Sequence, residues 1–322
     1  MAMHVETPLI ESTPLSKIAS CRVFLKLENC QPAASFKIRG IGLLCSEAKR
    51  AGSSRIICSS GGNAGLAAAY ASRKLDMPCK IFVPGSTSEA TVEKLRAENA
   101  EVEVVGKVWD DANKEALKQL ELCTDSAFVH PFDHPTIWKG HSTMVHEMKK
   151  QMGDGILPGA IIASVGGGGL LTGIIQGLDE VGWSDVPLVA METKGADSLA
   201  ASMNAGKLTS LSDITSIAKT LGSKTVCQQL FDYTKSHRVI SEVVTDEMAL
   251  NACFKFSDDE RMLVEPSCGA SLAAVYSSVV RRLQTEGKLP EELDNIVVVV
   301  CGGSSVTIDV LNQLKSSLTT PP

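Results

Sequence analysis

Four short stretches carry residue types suited to chemistry on a small anionic molecule. Lys37 stands between Phe36 and Ile38, directly before an apolar run. An amine flanked by apolar groups is partly desolvated, which lowers its pKa and frees it to form an imine with a carbonyl compound; a lysine there also serves as an ordinary solvated surface group. Gly166, Gly167, Gly168 and Gly169 lie between an apolar strand pattern and an amphipathic helix pattern that begins at Leu170. Successive glycine amides can turn toward one point, and a helix N-terminus adds positive potential, so phosphate is the natural guest, with a structural turn as the alternative. A dinucleotide fingerprint, with Glu192 as its ribose-binding acid, fails because Leu171 or Thr172 stands where the third glycine belongs in either frame. The turn Ser60-Gly61-Gly62-Asn63-Ala64 offers amides to a carboxylate, or is a plain capped strand-to-helix turn. Cys301 ends a run of valines and reads first as a buried strand-end hydrophobe, with a site thiol as the alternative.

These residues need a frame. Short β-branched runs at 23–26, 55–59, 80–83, 101–105, 160–165, 188–192 and 295–301 predict strands. Amphipathic stretches at 38–51, 64–75, 88–98, 110–122, 170–181, 246–258 and 269–286 predict helices; Leu171, Ile174, Ile175 and Leu178 line one face of the fifth. The alternation predicts an α/β fold with parallel sheets. Each glycine motif follows a predicted strand, so the motifs are expected to converge on one cleft beyond the carboxyl ends of strands. A loop-rich bridge at 129–135 separates two strand clusters. It predicts a smaller domain at 38–136, inserted in a larger one formed by 1–37 and 137–322. The tail at 316–322 is expected to fray.

Composition sets bounds. The net charge is −6 and no block of Lys or Arg occurs, which argues against nucleic acid as a partner. Ten cysteines form no CxxC pair, giving little support to a zinc site or a dithiol redox motif. The N-terminus has no apolar core of signal-peptide length, and no apolar run approaches the ~20 residues of a membrane span. A reducing, cytoplasmic setting without membrane partners is expected.

Taken together, the stretches resemble the fold-type II pyridoxal phosphate (PLP) enzymes, and most closely the animal-type L-serine dehydratases and serine dehydratase-like proteins. The resemblance runs from His4-Val5-Glu6-Thr7-Pro8-Leu9 through Ser35-Phe36-Lys37-Ile38-Arg39-Gly40 and Pro131-Phe132-Asp133 with Ile137-Trp138 and Gly140-His141. It continues through Val189-Ala190-Met191-Glu192-Thr193 and Leu263-Val264-Glu265-Pro266-Ser267-Cys268-Gly269-Ala270 to Cys301-Gly302-Gly303. It implies two open, twisted, mostly parallel sheets flanked by helices, of the tryptophan synthase β type. Lys37 would carry the cofactor as a Schiff base and Phe36 would pack on its ring. Asn63 would bind the phenolic oxygen, Gly166 to Gly169 with Leu170 the phosphate, and Cys301 the ring nitrogen. The turn Ser60, Gly61, Gly62, Asn63, Ala64 would receive the substrate carboxylate. The family also holds a monovalent cation, usually potassium; by position its ligands would be carbonyls of Gly166, Ala196, Leu221 and Ser223 with side chains of Glu192 and Ser198.

The resemblance implies a lyase of amino-acid catabolism and gluconeogenesis that eliminates water from L-serine or L-threonine, giving pyruvate or 2-oxobutyrate and ammonia, and a homodimer. Freed Lys37 would remove the Cα proton, and the β-hydroxyl would leave, protonated by the cofactor phosphate. Two positions depart from the pattern. Thr220 stands where relatives often carry alanine or serine against the cofactor's other face, and Gly61 stands where the animal serine dehydratases have alanine and the serine dehydratase-like proteins glycine. The rival readings are a weakly active or non-catalytic PLP-binding homologue, a serine racemase and a β-replacement enzyme. Serine racemases carry a serine two residues before the asparagine, so Gly61 argues against racemisation.

Overall fold

The computed structural model describes residues 2–153 and 155–319. Among these residues the strands are β1 (Leu9–Glu11), β2 (Arg22–Leu27), β3 (Arg55–Cys58), β4 (Cys79–Val83), β5 (Glu101–Val104), β6 (Ser126–Val129), β7 (Ile161–Ser164), β8 (Leu188–Thr193), β9 (Val239–Val244) and β10 (Asn295–Val300). The chain divides into two compact units. The first holds the N-terminal residues up to Val5 with Gln31–His141, and the second holds Glu6–Cys30 with the chain from Ser142 onward. The expected inserted segment was 38–136; the first unit also takes in residues on both sides of it.

In the first unit a parallel sheet has the order β5-β4-β3-β6. Side chains alternate across a strand, so each strand feeds two layers. Ile56, Cys58, Ile81 and Val83 face Ala67, Ala68 and Ala71 of helix Asn63–Lys74 and Leu95 of helix Glu89–Ala97. Ile57 and Phe82, one residue out of phase, face Ala112 and Ala116 of helix Trp109–Leu122. The alanines leave room for helices to lie close on the sheet.

The second unit has a sheet of order β1-β2-β10-β7-β8-β9, parallel except for β1 against β2. β10 lies inside this sheet, and its Asn-Ile-Val-Val-Val-Val run is buried throughout, as expected of a strand covered on both faces. Helix Pro266–Tyr276 beside it is buried at every position. Lys26 on β2 is one of the buried charges in this largely apolar interior. Its Nζ donates to Glu147 Oε2 (2.7 Å), the Thr7 carbonyl oxygen (2.8 Å) and Gln151 Oε1 (2.9 Å), which compensates its burial.

The structure departs from the sequence reading in definite places. The expected helix at 269–286 is two helices, Pro266–Tyr276 and Val279–Thr285, because Ser278 takes a left-handed backbone at φ 59° between them. The bridge at 129–135 is shorter than expected, since β6 runs to Val129 and helix Pro135–Met152 begins at its far end. Of the tail expected to fray, residues 316–319 continue helix Ile308–Thr319, and residues 320–322 lie outside the described residues. Among the described residues no helix is long and apolar enough to cross a membrane.

Candidate active site

The first unit presents the lysine. Phe36 occupies the N-cap of helix Lys37–Arg50, and Lys37 is its first residue. Lys37 Nζ donates to the carbonyl oxygen of Pro131 at 2.6 Å and lies 5.3 Å from the centroid of the Phe36 ring. That carbonyl is aimed by a local turn. Nδ1 of His130 accepts from the amides of Asp133 (2.8 Å) and Phe132 (3.3 Å), while the Phe132 carbonyl accepts from Trp138 Nε1 (2.9 Å). An imidazole nitrogen that accepts is unprotonated, and burial, reinforced by the charge of Lys37 against the opposing pull of Asp133, holds His130 below its ordinary pKa.

His141 packs edge-on to the Phe36 ring, 5.0 Å between centroids. Complete burial, then the charges of Lys37 and Arg39, push it well below the usual imidazole value. At the end of β3, burial pushes the Cys58 thiol up to about 11, against the amides of Ser60 and Ser59 and the charge of Lys37. Lys37 is thus felt at His130, His141 and Cys58, the last two residues ahead of the Ser60 turn. In that turn Gly62 N–H donates to Ser60 Oγ (3.3 Å), and the amides of Gly61 and Ala64 meet no acceptor among the described residues. Asn63 opens helix Asn63–Lys74.

The second unit carries the glycine loop, between the end of β7 and helix Gly169–Val181. Two of the loop's carbonyls are engaged: Gly167 accepts from Cys227 N–H and Gly168 from Thr172 N–H, both at 2.9 Å. Its amides are not. Those of Gly167, Gly168, Gly169 and Leu170 have no acceptor among the described residues. Gly168 has φ 92°, and a Cβ on it would lie 2.8 Å from Leu230 Cδ2, so conformation and space both demand glycine. Convergent unspent donors at a helix N-terminus suit an anion, phosphate above all.

Around this loop the second unit gathers most of the other expected residues. A Cβ on Gly166 would stand 3.1 Å from Leu221 Cα and 3.3 Å from the Thr220 carbonyl oxygen, so the loop abuts the turn of 3-10 helix Lys219–Leu221. Cys301, the first residue after β10, is buried with Sγ 3.4 Å from Oγ of Ser164, the last residue of β7. Glu192 on β8 is buried, and its two carboxylate oxygens accept from the amides of Leu199 and Ala200, each at 2.8 Å. Burial still pushes its pKa up to about 8, the two amide bonds and then Asp197 being lesser influences. Ser198, the first residue of helix Ser198–Ala205, keeps a buried hydroxyl with no hydrogen-bond partner among the described residues.

Sequence reasoning passed over four residues that bear on these groups. Pro131 acts through its carbonyl oxygen, which no side-chain pattern reveals. His130 and Ser164 lie outside the glycine motifs. Glu265 lies inside the Leu263–Ala270 block but received no role there; its signal was a carboxylate placed directly before Pro266 within an apolar stretch.

A parallel-sheet frame with a lysine at a helix start and an amide cradle after a strand defines a cofactor-dependent enzyme of the fold-type II class. The profile of the pyridoxal-phosphate dependent enzymes matches residues 2–302, and the chain belongs to that family. Among its relatives is the serine dehydratase-like protein of Rattus norvegicus, 52% identical over 98% of this chain and 95% of the relative. The L-serine dehydratase/L-threonine deaminase of Bos taurus is 51% identical over 98% and 96%. Among solved structures, the fungal L-serine ammonia-lyase from Rhizomucor miehei superposes with a TM-score of 0.92 at 37% identity, covering 98% of this chain and 99% of that one.

Proposed function

We propose that this protein is a PLP-dependent L-serine dehydratase that also accepts L-threonine, a lyase releasing 2-oxo acid and ammonia. The observation that carries the reading is the glycine loop whose Gly167 and Gly168 carbonyls are engaged while its amides from Gly167 to Leu170 meet no acceptor among the described residues, in a chain whose relatives are named for this reaction. Bound PLP supplies an aldehyde for a lysine and an electron sink for the substrate's Cα electrons.

The chain's own residues then divide the work. Lys37 would anchor the cofactor, and its Nζ would accept the Cα proton of the substrate. Phe36 packs on the ring, Asn63 binds its phenolic oxygen, and Gly166, Gly167, Gly168, Gly169 and Leu170 hold the phosphate. The turn Ser60, Gly61, Gly62, Asn63, Ala64 receives the substrate carboxylate, consistent with the free amides of Gly61 and Ala64. Cys301 offers the ring nitrogen a thiol in place of a carboxylate, which favours rapid expulsion of a β-leaving group over transamination. Gly61 has no side chain to protonate Cα from the face opposite Lys37, so racemisation is slow or absent.

A monovalent cation, potassium by preference, is held by the carbonyls of Gly166, Ala196, Leu221 and Ser223 with Glu192 and Ser198. The donor chemistry fits: oxygen ligands, one carboxylate, and a buried Ser198 hydroxyl that is otherwise unpartnered. The protein acts as a cytoplasmic homodimer. An assay for pyruvate and 2-oxobutyrate from L-serine and L-threonine, with and without potassium, tests the whole reading. Bound PLP without any 2-oxo acid would establish the rival, a PLP-binding homologue with little catalysis.

A further inference from the structure

Glu265 is a buried carboxylate of the second unit. It occupies the N-cap of helix Pro266–Tyr276, yet its side chain caps nothing there. Instead its oxygens collect hydroxyls from distant parts of the chain. Oε1 accepts from Thr220 Oγ1 at 2.5 Å, and Oε2 accepts from Ser305 Oγ at 2.7 Å. Thr220 Oγ1 also lies 2.5 Å from Ser267 Oγ. The backbone has been shaped around this carboxylate. Gly303 has φ 138°, and a Cβ there would stand 2.0 Å from Glu265 Cδ, so the turn after β10 closes directly on the acid. That turn begins at Cys301. The Cys253 thiol on helix Asp246–Glu260 is pushed up by burial first and then by the charge of Glu265, placing it beside the same group.

Removing a carboxylate from water is costly unless strong hydrogen bonds replace the solvent. Here the bonds tie together two segments: the one holding Thr220, which the resemblance places against the cofactor's other face, and the turn from Cys301 to Ser305, whose first residue the proposed function places at the ring nitrogen. With the hydroxyl of Thr220 turned onto Glu265, the methyl is the only group its side chain has left to present, although the residue is exposed as a whole. We infer that Glu265 is a positioning residue of the lyase site, which fixes the orientation of Thr220 and the turn at 301–305 together. This rests on the proposed function and adds a residue to it. It also gives the Thr220 departure a physical meaning, since alanine at that position has no hydroxyl for Glu265 to hold.

The test titrates PLP into the apoprotein of wild type, E265Q, T220V, T220S and the E265Q/T220V double variant. It reads dissociation constant, position of the borohydride-reducible absorbance band, apoprotein Tm, and kcat and KM on L-serine. Glutamine offers one acceptor where glutamate offers two, and valine deletes the hydroxyl while keeping the shape of threonine. E265Q and T220V are each expected to raise the PLP dissociation constant about tenfold, and the double variant no more than the worse single, because coupled partners are not additive. Both should shift the band, and both should lower kcat more than they raise KM. T220S, which keeps the hydroxyl, should return affinity and band toward wild type. A merely structural Glu265 would lower apoprotein Tm and leave affinity and band untouched; that result, additive losses, or equal behaviour of T220V and T220S overturns the inference. If E265Q does not fold, the T220V and T220S pair decides alone. If wild-type protein takes up no PLP on Lys37, the proposed function falls, and this inference with it.

Discussion

Lys37 Nζ donates to the carbonyl oxygen of Pro131 across 2.6 Å, and that acceptor is aimed by the turn folded on His130. The amine therefore has a defined resting partner outside the cofactor. Lys37→Ala should abolish turnover, since positioned proton transfer alone is worth roughly 10²–10⁴ in rate, and should remove the borohydride-fixed adduct. His130→Ala is expected to leave the adduct but lower kcat about tenfold or more, because small displacements of a reacting group are expensive. Steady-state kinetics on L-serine with borohydride trapping separates the two. Full adduct and full activity in Lys37→Ala would exclude Lys37 as anchor.

Both imidazoles near Lys37 are held neutral, and acid should therefore weaken the fold. Burial is the leading cause for His130 and for His141, with the Lys37 charge adding to it. A histidine with a depressed folded pKa binds its proton more readily in the unfolded chain, so its contribution is intact above about pH 6.5 and is lost as pH falls toward the folded value. Tm measured from pH 7.5 to 5 should fall. The fall should be shallower in His130→Phe, where one of these groups is absent. Using the difference between the two proteins cancels the opposite slope of Glu192, whose raised pKa makes its ionisation unfavourable as pH rises. Identical slopes would show that His130 does not titrate on unfolding.

Glu192 gives the cation proposal a stability readout independent of catalysis. A cation at 100 times its dissociation constant stabilises a fold by about 2.7 kcal/mol. Replacing potassium by tetramethylammonium should lower Tm accordingly and reduce activity. Glu192→Gln should lose most of the potassium response, because the amide carries no charge to bind the ion. A Tm indifferent to potassium in wild type would remove the cation from the site.

The fold was largely legible because most strands are apolar runs set off by turn residues, as in Arg55–Cys58 and Asn295–Val300. What escaped detection depends on tertiary context. β1 has three residues and exists through pairing Leu9, Ile10 and Glu11 with Lys26, Leu25 and Phe24. β9 mixes Ser241 and Glu242 into its valines and ends the sheet order, so its pattern is that of a half-exposed edge. The long helix Pro135–Met152 hides behind a proline start, an internal Gly140 and polar residues on several sides. At the site, glycines, lysine and cysteine announce themselves by type and spacing. The Pro131 carbonyl and the reach of Glu265 to Ser305 depend on distances that only folding creates.

On the proposed function, Gly61 is the position from which the choice of reaction can be altered. Its φ is not in the left-handed region, so a side chain is conformationally allowed. A Cβ there would meet Val83 Cγ1 at 3.1 Å and Thr87 Cγ2 at 3.2 Å, contacts that require shifts of a few tenths of an ångström. Gly61→Ser should accordingly fold with a cost of about 1 kcal/mol or less, within the ordinary range for a mildly crowded site. On that reading its hydroxyl would supply a proton donor to Cα on the face opposite Lys37. Chiral chromatography of L-serine incubations should detect D-serine with the variant and little or none with wild type, while Gly61→Ala, equally crowded but without a hydroxyl, should resemble wild type. Racemisation by wild type at a rate matching the variant would show that another group provides that proton, and would remove Gly61 from the explanation of why elimination prevails.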